Sequence, residues 1–178
     1  MGYKLNSTNS VFLTFNLLFL IILIALVSLK KLPLFVIYVY LINFVLCAIT
    51  WEIFMSFGVI EGESVEQREE GSNNIFNMFM MSMADAIVGF IQIYVAYKIF
   101  GKKGFDKWNW KVFGVIFGIG MFINILVTIV LKNRLKDAKL SYAPFMPVQT
   151  NPYVQNQEPW IIQPFVFYGI IIALKIVK

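Results

Sequence analysis

Two acidic residues lie inside apolar stretches of this chain, and they are the side chains best suited to do chemistry. Glu52 follows Trp51 in one apolar run, and Asp85 lies between two alanines in the next. A charged side chain in a lipid-embedded helix costs about 2.5–3.5 kcal/mol, so an acid at such a position usually marks a binding or proton-transfer site. If the two carboxyl groups face each other, both cannot stay ionised cheaply, and one would hold a proton or share a cation. The pair therefore predicts a non-enzymatic acidic pocket for a proton, a cation, or a small or lipid-like ligand.

Uncharged polar residues accompany the two acids. The candidates that we assign to the same ligand- or ion-binding site are Asn16, Ser82, Gln92 and Asn124. A structural role as hydrogen-bonding partners between helices stays open for Asn16, Ser82 and Asn124, and it also fits Asn43, Ser56 and Gln163. At about 1.5 Å per residue, most of these groups lie about 5–15 Å below the same membrane surface, with Asn43 and Gln92 deeper. The sequence therefore predicts a bundle whose interior is polar in one half and apolar in the other.

Helical periodicity gathers these residues on shared faces. At about 100° per residue, two stripes form. They consist of Ser82, Asp85, Gly89 and Gln92 in one segment, and of Ala48, Glu52 and Ser56 in another. Farther along, Gly114 and Gly118 have the spacing of a helix-packing motif, and Gly120 follows, so this segment is predicted to approach a neighbour closely.

The elements that must position these residues are membrane-spanning helices. The chain has 178 residues, of which 59% are hydrophobic and 14% are charged, and its mean hydropathy is +0.74. A water-soluble chain of this length cannot bury so much apolar surface, so lipid must be its solvent. We predict an all-α membrane protein that forms one domain over residues 1–178, a bundle of four to five transmembrane helices. Their predicted ranges are about 11–29, 34–60, 75–100, 110–131 and 160–177.

Two features qualify this topology. Residues 132–159 contain four prolines and form a predicted extramembrane segment, whose aromatic residues suit a cap over the bundle. Residues 160–178 are the weakest candidate span, because nineteen residues barely cross a bilayer and could instead lie in the interface. Pro164 is predicted in the first turn of that helix, and Trp108 and Trp110 in an interfacial belt.

The lysines predict the orientation. With the N-terminus on the non-cytoplasmic side, nine Lys or Arg residues lie on the cytoplasmic side and six on the other. The positive-inside rule favours this arrangement. The acidic loop 61–74 then lies on the non-cytoplasmic side, the side nearer the polar half of the bundle. Which membrane the protein occupies does not follow from the sequence.

The composition also excludes several classes of site. The chain has no histidine and a single cysteine, so His-based metal or haem sites, histidine-dependent catalytic triads and internal disulfides are impossible. No cofactor or metal is predicted. The net charge of +5 comes from lysines that flank apolar runs, which is no nucleic-acid footprint. Cys47 is predicted to be a small core residue facing a neighbouring helix.

Two alternatives stay open for the function. The Trp51-Glu52 pair in the second helix and Asp85 in the third resemble the sterol isomerase and sigma-2-receptor-like membrane fold, which encloses an acid-lined lipid pocket. The resemblance covers no contiguous motif, and the histidine that such isomerases use has no counterpart here. An intramembrane isomerase or lipid-modifying enzyme is therefore the weaker alternative. The stronger one is a structural or accessory subunit of a larger membrane assembly, for which the proline-rich segment would be a docking surface.

Overall fold

The computed structural model describes residues 7–53, 74–135 and 158–177, and within these ranges the chain is helical and has no strand. Five α-helices follow one another: α1 (Ser7–Ser28), α2 (Phe35–Cys47), α3 (Asn74–Phe100), α4 (Trp110–Leu135) and α5 (Glu158–Ala173). A π-helical segment, Ala48–Glu52, continues α2, and a 3₁₀ turn, Lys102–Phe105, joins α3 to α4.

Left-handed backbone positions end three of the helices. Gly101 has φ +63° and ends α3, as a glycine after an apolar run predicts. Lys30 and Lys175 have φ +56° and +50° and end α1 and α5, in positions that favour glycine. After Lys30 the amide of Lys31 donates to the carbonyl of Leu26 at 2.8 Å, the hydrogen bond of a Schellman cap.

The third helix organises the bundle. It packs against α1, α2 and α4, and its contact with α2 is the most extensive in the fold. The fifth helix closes the bundle by packing on α4 and reaching α2. At the lysine-rich end, the Tyr168 hydroxyl donates to the Gly104 carbonyl at 3.0 Å and ties α5 to the turn between α3 and α4. Of the two acidic candidates, Asp85 lies on α3, and Glu52 lies on the π-helical continuation of α2, which contacts α3.

Three helices, α1, α3 and α4, are long and apolar enough to cross a membrane. Their outward surfaces are rich in exposed Ile, Leu, Val and Phe, as lipid-facing helices are. The apolar helices at Phe35–Thr50 and Trp160–Ala173 are shorter.

Several predicted boundaries differ from the observed ones. Helix α4 continues to Leu135 because the residues after 131, although polar, include no proline or glycine that would end a helix. Helix α5 begins two residues early, at Glu158, and ends at Ala173 because the chain turns at Lys175. Pro164 consequently lies inside α5, so its predicted place in the first turn is wrong; Pro159 occupies that turn instead. Ser56, the acidic loop and the aromatic cap lie outside the described residues.

The apolar core concentrates at the lysine-rich end of the bundle. Buried there are Phe35, Val36, Val39, Ile93, Ala96, Phe105, Val112, Ile116, Phe167, Tyr168 and Ile171. The buried polar residues lie largely beyond this core, toward the opposite end. The bundle interior is thus asymmetric along its axis.

Candidate functional site

The π-helical turn at Ala48–Glu52 determines where the Glu52 carboxyl group lies. In an α-helix, five residues turn a side chain by about 500°, which would leave Glu52 about 140° away from Cys47. A π-turn joins residues five apart and brings the fifth residue back toward the same face. Both side chains are buried, Cys47 fully and Glu52 to 5% exposure. The Thr50 hydroxyl stabilises the transition by donating to the carbonyl of Leu46 at 2.6 Å.

Asn43 links α2 to α3 at the level of the second acid. Its side-chain amide donates to the backbone carbonyl of Asp85 at 2.7 Å. Gly89, one turn farther along α3, makes room for the Asn43 side chain, because a Cβ atom at Gly89 would overlap it. The side chain of Asn43 is fully buried. Asn43 therefore holds α2 and α3 in register beside Asp85.

Gln163 brings α5 into the same cluster. Its amide nitrogen donates to Asn43 Oδ1 at 2.9 Å and to Cys47 Sγ at 3.3 Å. Residues from three helices thus meet around Cys47, and Gln163 is itself 1% exposed. Its amide oxygen is buried and accepts no hydrogen bond from the described part of the chain.

Cys47 connects the two acids. The Asp85 carboxyl group lies within hydrogen-bonding reach of the Cys47 thiol, and the Glu52 carboxyl group is close enough to interact with it electrostatically. Asp85 is half-buried, whereas Glu52 is buried. We call Asn43, Cys47, Glu52, Asp85 and Gln163 the amide–carboxyl cluster.

The remaining predicted site residues make other contacts along the bundle. Asn16 donates from α1 to the carbonyl of Met80 at 3.0 Å, and Gln92 donates from α3 to the carbonyl of Ile116 at 3.0 Å. Ser82 donates to the carbonyl of Met78 in its own helix at 2.7 Å. Asn124 is 2% exposed, and its carbonyl accepts the Thr128 hydroxyl at 2.9 Å. Asn16 and Gln92 therefore tie α1 and α4 to α3.

Three buried side-chain amides donate through their nitrogen but leave their oxygen without a donor among the described residues. The amide oxygens of Asn16, Gln92 and Gln163 are buried and accept no hydrogen bond within the described ranges. A buried acceptor without a donor costs about 1–3 kcal/mol. Only the Gln163 oxygen belongs to the amide–carboxyl cluster, where a ligand with positive charge or hydrogen-bond donors would satisfy it. Among the described residues, no group of three or more Cys, Asp or Glu side chains is placed to hold a metal ion.

The small-residue prediction for the fourth helix is correct only at Gly120. A Cβ atom there would overlap Gln92 and lie 3.6 Å from Trp160. A Cβ atom added at Gly114 or Gly118 would have no described atom of a neighbouring element within 4 Å, and both glycines are exposed. The buried face of α4 instead follows every fourth residue: Val112, Ile116, Gly120, Asn124 and Thr128. Gly114 and Gly118 lie two residues out of phase with this ladder, about 200° around the helix.

Sequence reasoning assigned three members of the cluster no ligand-binding role. The sequence predicts Asn43 and Gln163 as interhelical hydrogen-bond partners, which the structure confirms, and Cys47 as a buried core residue, which it also is. The signal that could have linked Asn43 to the site is Gly89, a small residue on the Asp85 face that makes room for a polar side chain from a neighbouring helix.

No protein-family model, curated protein or solved structure matches this chain.

Proposed function

We propose that this chain is a non-enzymatic, multi-pass membrane protein that binds a proton, or a monovalent cation in its place, at Glu52 and Asp85. In this proposal all five helices span the bilayer, with the N-terminus on the non-cytoplasmic side. The single observation that carries it is that the Asp85 carboxyl group lies within hydrogen-bonding reach of the buried Cys47 thiol, while the Glu52 carboxyl group is close enough to act on the same thiol electrostatically. The surrounding cluster is built from α2, α3 and α5.

Electrostatics favours a proton or a cation as the ligand. Two carboxylates near one thiol in a low-dielectric interior repel each other, and binding one positive charge relieves that repulsion. The buried amide oxygen of Gln163 adds an acceptor at the same place. A π-turn inside an α-helix is also frequent at functional sites, and here it places Glu52.

The asymmetric interior favours access from one end. Polar contacts with α3 occur at Met80, Asp85 and Gln92, which are five and seven residues apart, or about 7.5 and 10.5 Å along the helix. Beyond Gln92 the apolar core fills the interior toward the lysine-rich end. The ligand therefore reaches the carboxyl groups from the end opposite the lysines.

Two other functions have less support. An isomerase or lipid-modifying enzyme has less support because the chain lacks the histidine that the isomerases it resembles use, and the cluster adds only two amides and a thiol to the acids. An accessory role in a larger assembly depends on the proline-rich segment, most of which lies outside the described residues. Proton or cation binding needs only the cluster itself.

Proton titration of the purified protein tests the proposal. We expect the wild type to bind one proton more near neutral pH than the double variant Glu52→Gln/Asp85→Asn. The control is Asp106→Asn, which removes an exposed carboxyl group outside the cluster and should leave that proton in place. If the monovalent cation binds at the same site, added Na⁺ or K⁺ at constant ionic strength displaces the proton from the wild type. Identical titration curves for the wild type and the double variant would refute the proposal.

A further inference from the structure

A cavity lies at the lysine-rich end of the bundle, outside the amide–carboxyl cluster. A cavity of about 610 Å³ opens between the turn that follows α1, the start of α2 and the last turns of α3. Its lining includes Lys30, Lys31 and Lys98 together with Tyr94 and Tyr97. None of the described residues that line it is acidic.

The walls of the cavity combine charge with apolar surface. All three lysines are exposed, whereas both tyrosines are half-buried. The Tyr97 ring packs edge-on against Phe35 at 4.8 Å, and the Lys98 ammonium lies 5.4 Å from the centre of the Tyr94 ring. Leucine, valine and proline side chains and Ser28 complete the lining. A ligand there would meet cationic groups and tyrosines beside an apolar wall.

The backbone presents one of these lysines at the cavity at a conformational cost. Lys30 adopts φ +56°, a left-handed conformation in which a residue other than glycine is strained by about 1–2 kcal/mol. Glycine would end α1 without that strain. A lysine at this position adds an ammonium group to the cavity.

Positive charge surrounds the cavity at this end of the protein, which favours an anionic ligand. The stretches 28–34, 98–111 and 174–177 contain eight lysines and one acid, Asp106. In the proposed orientation this is the cytoplasmic surface, where anionic lipids carry the negative charge. Basic pockets between membrane helices on that side bind phosphate-bearing lipid headgroups.

We propose that this cavity binds the phosphate headgroup of an anionic phospholipid, with Lys30, Lys31 and Lys98 as its cationic ligands. The acyl chains would lie along the apolar outer surfaces of α1 and α3. The inference rests on the membrane orientation of the proposed function but not on Glu52 or Asp85. Lipid binding can therefore fail while proton binding at the acids stands, and proton binding can fail while lipid binding stands.

A simpler role for the same lysines is to neutralise the negative ends of α1 and α3. That role requires no cavity. Lys102 and Lys103, which follow Gly101 at the end of α3, would share it. A matched pair of variants therefore separates the two. Lys30→Gln/Lys31→Gln/Lys98→Gln removes three charges that line the cavity, and Lys102→Gln/Lys103→Gln/Lys107→Gln removes three exposed charges at the same end that do not.

Native mass spectrometry of the full chain in detergent provides the measurement. The probes are phosphatidylglycerol and phosphatidylcholine with identical acyl chains, and inorganic phosphate as a competitor. We expect the wild type to retain one phosphatidylglycerol, with at least about tenfold preference over phosphatidylcholine. The cavity variant should lose about tenfold or more of that affinity, and the control variant less than about twofold.

Three results would overturn the proposal. Equal loss in both variants would show that only the overall charge of this end attracts lipid. Equal retention of the two lipids would show that the headgroup is not recognised. Displacement of phosphatidylglycerol by an equal concentration of inorganic phosphate would identify the ligand as a soluble anion.

Discussion

At the scale of single residues, the cluster depends on how closely α2 approaches α3 at Gly89. The Asn43 side chain occupies the space that a side chain at Gly89 would need, and from there it reaches both the Asp85 carbonyl and Gln163. The Asn43 side chain is fully buried, so it has little room to move away from an added side chain at position 89. The hydrogen bonds of the cluster therefore depend on the close packing of α2 against α3.

Replacing Gly89 by alanine should disrupt this arrangement. The added methyl group overlaps Asn43 and separates α2 from α3, which we expect to cost about 1–3 kcal/mol of stability. Thermal unfolding in detergent, followed by size-exclusion chromatography, measures the loss. Gly118→Ala is the matched control, because it adds the same methyl group where no described atom lies within 4 Å. Equal stability of the two variants would show that the approach at Gly89 is not tight.

The residue scale also shows what a residue type reveals by itself and what it does not. Glu52 and Asp85 were recognisable because a carboxyl group inside an apolar run is costly whatever its surroundings. The link between them through Cys47 was not, since it requires the π-turn, which shifts the phase of Glu52. No local sequence pattern around Ala48 predicts the π-turn.

At the scale of elements, the switch from α2 to the π-helical segment is the least regular part of the site. A π-turn weakens the regular hydrogen-bonding ladder, and the Thr50 hydroxyl compensates by donating to the Leu46 carbonyl. Helix ends were easier to predict than this switch. Gly101 ends α3 where expected, because its positive φ needs no tertiary contact to be favourable.

Thr50→Val tests the role of the hydroxyl in the π-turn. Valine has nearly the same shape, so the variant removes the hydrogen bond to Leu46 without creating a cavity, and we expect a loss of about 1 kcal/mol. The same unfolding measurement applies. Thr14→Val is the control, since Thr14 is exposed on α1. The interpretation fails if the two threonine variants unfold at the same temperature.

The element scale explains the error in the fourth helix. A Gly114-x-x-x-Gly118 pattern indicates a close helix contact, but it does not say which face of the helix meets its neighbours in the same chain. The ladder from Val112 to Thr128 carries the contacts with α3 and α5, and Gln92 binds α4 through the Ile116 carbonyl. Only the three-dimensional arrangement distinguishes the two faces.

At the scale of the whole molecule, charge and polarity divide the bundle along its axis. One end has the lysine-rich turns and the cavity lined by Lys30, Lys31 and Lys98. The buried polar groups lie mostly beyond the apolar core, toward the other end. The sequence predicted this division from the depth of the polar residues, because depth along a helix follows from residue number alone.

The proposed topology is testable because Cys47 is the single cysteine of the chain. In a Cys47→Ser background, Lys31→Cys, Lys103→Cys and Lys175→Cys should react with an impermeant maleimide from the cytoplasmic side. Lys132→Cys and Gln157→Cys should react from the opposite side. This pattern follows from five spans with the N-terminus on the non-cytoplasmic side. Reaction of positions 157 and 175 from the same side would show that α5 does not cross the membrane.

The central claim is that Glu52 and Asp85 together hold one proton in the buried cluster. Infrared spectroscopy of the reconstituted protein measures this directly, because a protonated carboxyl group has a C=O stretch distinct from that of a carboxylate. We predict one protonated carboxyl group per chain at neutral pH in the wild type and in Asp106→Asn, and none in Glu52→Gln/Asp85→Asn. Absence of the band from the wild type without added Na⁺ or K⁺, or its persistence in the double variant, would contradict the account.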